Sequence, residues 1–162
     1  MSSSLPNHAT VRPANPEDLP AVMGLIHELA EYERAPEAVV NDAAQLEEDF
    51  LHHQAFELLV ATVDNEVVGM SLFFPVYSTW KGRSTYLEDL YVQPEHRGKG
   101  LGYELLRQTA ERARALGSAR LHWQVLDWNT PSIAFYERLG AVVERDWYNC
   151  KLYLRPHPSR TP

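Results

Sequence analysis

The 162-residue sequence lacks the features of crosslinked, membrane-spanning and metal-bound proteins. Cys150 is its only cysteine, which excludes an internal disulfide and a cysteine-rich metal centre. No apolar run approaches the roughly 18 residues that cross a bilayer, and the mean hydropathy is −0.37. The histidines do not recur at metal-ligand spacing, so we predict no metal. Because the first residues show no basic and apolar leader pattern, we expect a cytoplasmic protein.

Positive charge is also scarce, since 15 basic residues face 22 acidic ones and the net charge is −7. This balance weighs against binding to nucleic-acid phosphates and permits cationic partners without requiring them. The length and the 44% hydrophobic content predict one globular domain over 1–162, with loose ends at 1–7 and 156–162. We therefore expect no nucleic-acid or membrane partner.

Strand and helix patterns alternate along the chain and predict an α/β (α+β) domain. Strand patterns cover 8–12, 56–63, 66–77, 85–92, 121–126, 142–144 and 150–154. Helix patterns begin at the cap Asn15, near Asp42, at Gly100 and at Thr130. The turn at residues 64–65 predicts an antiparallel hairpin. In the last strand we expect Cys150 to be a buried small hydrophobic residue.

Three glycines alternate with other residues in the segment Arg97-Gly98-Lys99-Gly100-Leu101-Gly102, between a predicted strand and a predicted helix. Glycines let a ligand approach the backbone closely. Successive N–H groups and the helix dipole attract phosphate oxygens, and Arg97 and Lys99 add positive charge. The spacing matches neither a Walker A loop nor the dinucleotide fingerprint. A plain glycine-rich turn is the alternative.

Two adjacent carboxylates, Glu88 and Asp89, lie in the middle of a predicted strand. Alternation in a regular strand places them on opposite faces. Because burial of an unpaired carboxylate is costly, at least one of them should meet a cation, a polar network or a water-filled cleft. An exposed sheet edge is the alternative.

The end of the first predicted helix begins an acidic stretch in which Arg34 is the only basic residue. Its acids are Glu28, Glu31, Glu33, Glu37, Asp42, Glu47, Glu48 and Asp49. Such a surface can attract a polycation, although a solvated helix face explains most of these residues equally well. Trp80 can offer an aromatic face to an ammonium group or can pack within its loop.

The pattern R-x-x-G-x-G at 97–102 resembles the acyl-CoA pyrophosphate loop of the GNAT N-acetyltransferase superfamily. The segment 127–141, DWNTPSIAFYERLGA, resembles the second motif of that superfamily. Segments 25–33, 77–82, 86–90 and 128–133 narrow the resemblance to the diamine (spermidine/spermine-type, including thialysine) N-acetyltransferases, over residues 10–154. The implied fold is the GNAT acyl-CoA N-acyltransferase fold, a mixed, mostly antiparallel sheet flanked by helices.

The resemblance implies transfer of acetyl from acetyl-CoA to a primary amine of a small cationic substrate, by direct attack on the thioester and without a metal. Tyr136 corresponds to the general acid, and Glu88 to the residue that binds the amine and relays its proton through water. Positions assigned to the cofactor are Leu90, Tyr91, Val92, Arg97, Gly98, Lys99, Gly100, Leu101, Gly102, Tyr103, Asn129, Pro131 and Ser132. Positions assigned to the substrate are Tyr32, Glu33, Trp80, Glu88 and Asp89.

The resemblance also implies a homodimer, since family members pair, often through their C-terminal strands. It leaves open whether the acceptor is a polyamine or a thialysine-like amino acid, and whether Glu144 replaces a further acidic substrate ligand of the family. Two other functions are the acetylation of a protein or peptide and a noncatalytic CoA-binding sensor module.

Overall fold

The computed structural model describes residues 5–154, so the expected loose ends at 1–4 and 156–162 lie outside the described residues. Residues 5–7, also expected to be loose, precede the first strand without regular secondary structure. The chain divides into two compact units, one up to Trp123 and one from Gln124 onward. The single domain over 1–162 stays a prediction.

The first unit is a five-stranded sheet with helices, and its strands follow one another in sequence order. Its elements are β1 (Ala9–Pro13), α1 (Leu19–Tyr32), α2 (Ala43–Leu51), β2 (Glu57–Val63), β3 (Glu66–Ser78), β4 (Gly82–Val92), α3 (Leu101–Ala115) and β5 (Leu121–His122). Strands β1 to β4 pair antiparallel, and β5 pairs with β4 in parallel. The expected mixed, mostly antiparallel sheet is therefore confirmed.

Local sequence signals set the main turns and helix starts of this unit. Asp64 and Asn65, with φ of 50° and 69°, form the predicted hairpin turn between β2 and β3. The Asp42 carboxylate accepts a hydrogen bond from the backbone N–H of Gln45 at 2.8 Å and caps α2. A single turn of 3-10 helix, Pro16–Asp18, precedes α1 after the predicted cap Asn15.

The apolar faces of α1 and α3 cover opposite faces of the sheet. Val22 and Leu25 of α1 are buried in one cluster with Met70 of β3. On the other face the Ser71 hydroxyl of β3 lies 2.6 Å from the Thr109 hydroxyl of α3. Apolar residues of both helices are therefore buried against the sheet.

A β-bulge interrupts the pairing of β3 with β4. Leu72 pairs with Asp89 and the next residue, Phe73, pairs with Leu87, so Glu88 has no partner on β3. On its other side β4 pairs with β5 only at Thr85 and Tyr86. The predicted strand over 121–126 is therefore too long, because the described chain gives β5 a ladder partner at only two positions.

The second unit contains α4 (Thr130–Arg138), whose N-cap Asn129 accepts from the Ser132 amide at 3.4 Å. The predictions of strands at 142–144 and 150–154 are wrong for the described residues, which form no strand there. Cys150 is exposed rather than buried. A short apolar segment forms a strand only where a neighbouring strand supplies hydrogen bonds. Val142 and Leu152 are 86% and 87% exposed, so neither side chain is packed in a sheet.

Within residues 5–154 no helix is both long and apolar enough to cross a membrane.

Candidate active site

One edge of β4 is open along the second half of the strand. From Leu87 to Val92 the edge that faces away from β3 has no strand partner within the described part of the chain. Backbone N–H and C=O groups on such an edge can pair with an extended molecule that carries amide groups. Leu90 and Val92, both assigned to the cofactor, lie in this segment.

The predicted phosphate loop connects the end of β4 to α3. Gly98 and Gly100 have φ of 73° and 84°, a left-handed conformation that favours glycine. Gly100 is the N-cap of α3, and no side chain caps the helix there. A Cβ added at Gly98 meets nothing within 4 Å, so the space beside the loop is open. The first turn of α3 can therefore accept an anion.

Several residues assigned to the cofactor have side chains that turn away from this open space. Tyr91 and Leu101 are only 6% and 1% exposed, and Val92 is also buried. These three residues can contribute little beyond their backbone groups. Gly102 and Tyr103 begin α3 and are half-buried.

The two cations of the loop both bind backbone carbonyls. The Lys99 ammonium donates to the Glu95 oxygen at 2.9 Å, and the Arg97 Nε donates to the Val92 oxygen at 2.7 Å. Both residues remain exposed, so they can also contact an anion bound at the loop.

The bulge changes the expected placement of the adjacent carboxylates. Strict alternation does not hold at Glu88 and Asp89, and both raise the pKa of the half-buried Tyr86 phenol, after burial itself. Glu88 is exposed and Asp89 is half-buried. Burial first, then the charges of Glu88 and Glu33, raises the pKa of Asp89 to about 7. The first unit thus brings three predicted substrate residues into one group of interacting carboxylates.

The other two predicted substrate residues, Tyr32 and Trp80, lie at the end of α1 and in the turn between β3 and β4. Tyr32 is the last residue of α1 and directly precedes Glu33. Trp80 lies in the turn between β3 and β4 and is 83% exposed. Glu88 lies six residues beyond the start of β4 at Gly82, about 20 Å at the rise of a strand. The strand therefore does not bring Trp80 to the carboxylates.

The residues of the second motif lie on α4 or at its cap. Asn129 and Tyr136 are buried, whereas Ser132 is half-buried and Pro131 is exposed in the first turn. The Tyr136 ring lies 5.3 Å from that of Phe135, measured between centroids.

Sequence reasoning placed Glu28 only within the acidic stretch and did not single out Gln93, yet both form hydrogen bonds at the end of β4. Glu28 of α1 accepts from the Tyr91 hydroxyl at 3.2 Å and from the Gln93 amide at 2.9 Å. Glu28 lies four residues before Tyr32 and so on the same helix face, a spacing that was available as a signal. Gln93, which follows β4, offered no comparable signal.

In chemical terms the first unit can hold an extended anion with amide groups along β4, beside a group of carboxylates that attracts a cation. No cluster of three His, Cys, Asp or Glu side chains arranged for a metal occurs in residues 5–154.

Comparisons with known proteins bear on the family and the fold of this chain. The sequence profile of the acetyltransferase (GNAT) family matches residues 23–141. The chain is 42% identical over 133 residues to a thialysine N-epsilon-acetyltransferase of Caenorhabditis elegans, covering 82% of this chain and 81% of that protein. It is 38% identical over 151 residues to the protein of the same name in Bos taurus, covering 86% and 89%. A solved aminoglycoside acetyltransferase from an uncultured soil metagenomic sample shares the fold, with a TM-score of 0.76 at 19% identity over 92% of this chain and 98% of that one.

Proposed function

We propose that this chain, which belongs to the GNAT acetyltransferase family and is an N-acetyltransferase, acetylates a primary amine of a small cationic amino acid or polyamine. The observation that carries the proposal is the group of carboxylates Glu33, Glu88 and Asp89 beside the open edge of β4. An ammonium group is the natural ligand of such a group.

The cosubstrate is acetyl-CoA, as the family implies. We assign its pantetheine amides to the backbone of Leu90 and Val92, because no strand among residues 5–154 pairs with that edge of β4. We assign its pyrophosphate to the loop 97–102, where two glycines with positive φ precede an uncapped helix N-terminus. Tyr91, Leu101, Gly102 and Tyr103 complete this part of the proposed site, and Asn129, Pro131 and Ser132 are proposed cofactor contacts of the second unit.

In the proposed mechanism Glu88 and Asp89 bind the acceptor as an ammonium ion. Glu88, which is exposed at the bulge, accepts one proton from that ion through water and so frees the amine lone pair. The amine forms a bond to the thioester carbon, and the C–S bond breaks. Tyr136 donates its phenolic proton to the departing thiolate, and the second proton that the nitrogen loses as the amide forms passes through water to the Tyr136 phenolate and restores the phenol. Positioning of the two reactants supplies much of the acceleration.

The relatives named for thialysine make a zwitterionic amino acid the first acceptor to test, and the family resemblance makes polyamines the second. The test follows CoA thiol release with thialysine, lysine, spermidine, spermine, putrescine and an aminoglycoside. A preference for thialysine means that the site also binds a carboxylate. Lys81 and Arg83, the cations that the sequence suggests for it, lie with Trp80 at the start of β4, so a cation closer to Glu88 would have to bind that carboxylate. A preference for spermidine and spermine supports the carboxylate group as a polycation site.

Tyr136→Phe is the matched variant, since it removes one hydroxyl and keeps the ring. We expect turnover to fall by about 100-fold or more while CoA binding is unchanged, because proton delivery to sulfur is lost. Unchanged turnover removes Tyr136 from the mechanism. CoA binding without transfer to any acceptor points to a protein substrate or to a noncatalytic CoA-binding module.

We also propose a cytoplasmic homodimer. Apolar side chains of the second unit that support pairing with a second copy are exposed, and they are Val142, Trp147, Tyr148, Leu152 and Leu154. Sedimentation equilibrium should give twice the chain mass of 18.5 kDa. A mass of 18.5 kDa at micromolar concentration contradicts the dimer.

A further inference from the structure

The Arg97 side chain joins the predicted phosphate loop to two aromatic rings. Its guanidinium carbon lies 5.2 Å from the centroid of the Tyr32 ring and 5.4 Å from that of the Tyr91 ring. Its Nε donates to the Val92 oxygen at 2.7 Å. The Arg97 side chain thus contacts the end of α1 and the end of β4, while Arg97 itself belongs to the loop.

The chemistry of these contacts requires a guanidinium group. A planar, delocalised cation can lie over aromatic rings while Nε donates along its own plane to a carbonyl. A lysine ammonium can keep the charge but cannot make the flat contact and the Nε hydrogen bond together. Arg97 is exposed, and its guanidinium carries five N–H donors, so beyond its hydrogen bonds to the Val92 oxygen and to the Tyr91 side chain it can still reach an anion.

The rings that Arg97 contacts are themselves held. The Tyr91 hydroxyl and the Gln93 amide donate to opposite oxygens of the Glu28 carboxylate. Glu28 lies one helical turn before Tyr32 in α1. The Arg97 guanidinium is therefore in contact with the last residue of α1, Tyr32, which directly precedes Glu33.

We propose that Arg97 is a positioning residue that couples cofactor binding to amine binding. The inference rests on the proposed function, in which the loop binds the pyrophosphate and Tyr32 with Glu33 contacts the amine. An anion held by the Nη groups restrains the guanidinium, which in turn restrains the Tyr32 ring at the amine site. Each ligand then finds part of its site already ordered by the other.

Such coupling is reciprocal, because the factor by which an amine raises CoA affinity equals the factor by which CoA raises amine affinity. We expect a factor of at least about fivefold in the wild type. A residue that only binds phosphate behaves differently, since its loss weakens CoA binding equally with and without the amine.

The test measures CoA binding by isothermal titration calorimetry, alone and with saturating thialysine or saturating spermidine. CoA replaces acetyl-CoA so that no turnover occurs. The variants are Arg97→Lys, which keeps the charge, and Arg97→Met, which keeps only the apolar stem. Lys99→Met is the matched control, because it removes the other cation of the same loop.

We expect both Arg97 variants to bring the coupling factor close to one, and Lys99→Met to weaken CoA binding with the factor unchanged. Tyr32→Leu should also abolish the coupling, whereas Tyr32→Phe, which keeps the ring, should retain it. The contact between Arg97 and Tyr32 can also be tested without any ligand, by urea unfolding. The double variant Arg97→Met, Tyr32→Leu should lower the unfolding midpoint by less than the sum of the decreases caused by the two single changes.

The outcomes separate this inference from the proposed function. Active wild-type enzyme whose coupling factor persists in Arg97→Met overturns the inference alone, as does active wild type without coupling. A wild type that acetylates neither amine contradicts the proposed acceptor class, and the inference fails with it.

Discussion

At the scale of single residues, one backbone irregularity decides the chemistry of two carboxylates. Glu88 and Asp89 belong on opposite faces of a regular strand, but the bulge leaves Glu88 without a partner on β3. Both then raise the pKa of the same phenol, that of Tyr86, and Asp89 also interacts with Glu33, which directly follows α1. The half-buried member of the pair has the strongly raised pKa, which is typical of functional sites.

The raised pKa of Asp89 predicts a stability difference that depends on pH. Its folded pKa of about 7 lies above the ordinary aspartate pKa of 3.8, so the folded state resists ionisation of this group. Stability from this group is full below pH 4 and is lost as the pH rises through 7, with a slope of at most about 1.4 kcal/mol per pH unit. Asp89→Asn should therefore become more stable relative to the wild type between pH 5 and pH 8, as urea unfolding will show.

Glu66→Gln provides the control for this comparison, because Glu66 is an exposed carboxylate at the start of β3. The difference in free energy of unfolding between Glu66→Gln and the wild type should stay constant from pH 5 to pH 8. If Asp89→Asn also stays parallel, its carboxyl group is not held in the neutral form by burial.

At the scale of elements, the loop between β4 and α3 shows why glycine is needed at particular positions. Gly98 and Gly100 have left-handed φ, and Gly100 leaves the N-terminus of α3 without a side-chain cap. The stabilising contacts of α3 come instead from its buried face, which includes Leu105 and Thr109. The helix end is thus free to serve a ligand because the core holds the helix in place.

Gly98→Ala tests this division between fold and ligand. The change costs about 1–2 kcal/mol of unfolding free energy, since alanine is strained at a φ of 73°. The chain itself leaves space for the methyl group. We therefore expect the KM for acetyl-CoA to rise by about tenfold or more, because the methyl group occupies the space proposed for the pyrophosphate.

Gly117→Ala is the matched control, with a φ of 77° and only an ordinary contact of 3.9 Å, to Arg83. It should lose similar stability in urea unfolding while the KM for acetyl-CoA stays unchanged in steady-state assays. Equal KM values for the two variants would mean that strain, and not the proposed anion site, explains the effect.

At the scale of the whole molecule, the net charge of −7 favours encounter with cations. The acidic stretch that begins at α1 adds to this field near Glu33, which belongs to the proposed amine site. Charge at this scale affects association more than the chemical step.

The KM for spermidine should therefore rise several-fold as salt increases from about 20 to about 300 mM, because screening shortens the reach of the field. The kcat should change little. Lysine, which carries less net positive charge, should show a weaker dependence in the same steady-state assay. An equal salt dependence for the two amines would contradict electrostatic attraction of the acceptor.

The two superfamily motifs and the order of strands and helices were enough to predict the GNAT fold from the amino-acid sequence. The hairpin at Asp64–Asn65 and the glycine loop were also predicted, because the signals for a turn lie in residues that are adjacent in the sequence. The buried faces of α1 and α3 follow the spacing of apolar residues within each helix. Candidate residues could be assigned by motif, and their proposed roles await the experiments above.

Where the strands end and which side chains are in contact depends on the tertiary structure. Strand β5 is short, and the described residues after α4 form no strand, because a strand needs a neighbouring strand for its hydrogen bonds. The register shift that produces the bulge at Glu88 and the exposure of Cys150 likewise depend on the neighbours of these residues in the fold. The contact of Arg97 with the Tyr32 ring joins residues 65 positions apart in the chain. No local pattern encodes a long-range contact of this kind, because packing of the completed sheet and helices brings the two side chains together.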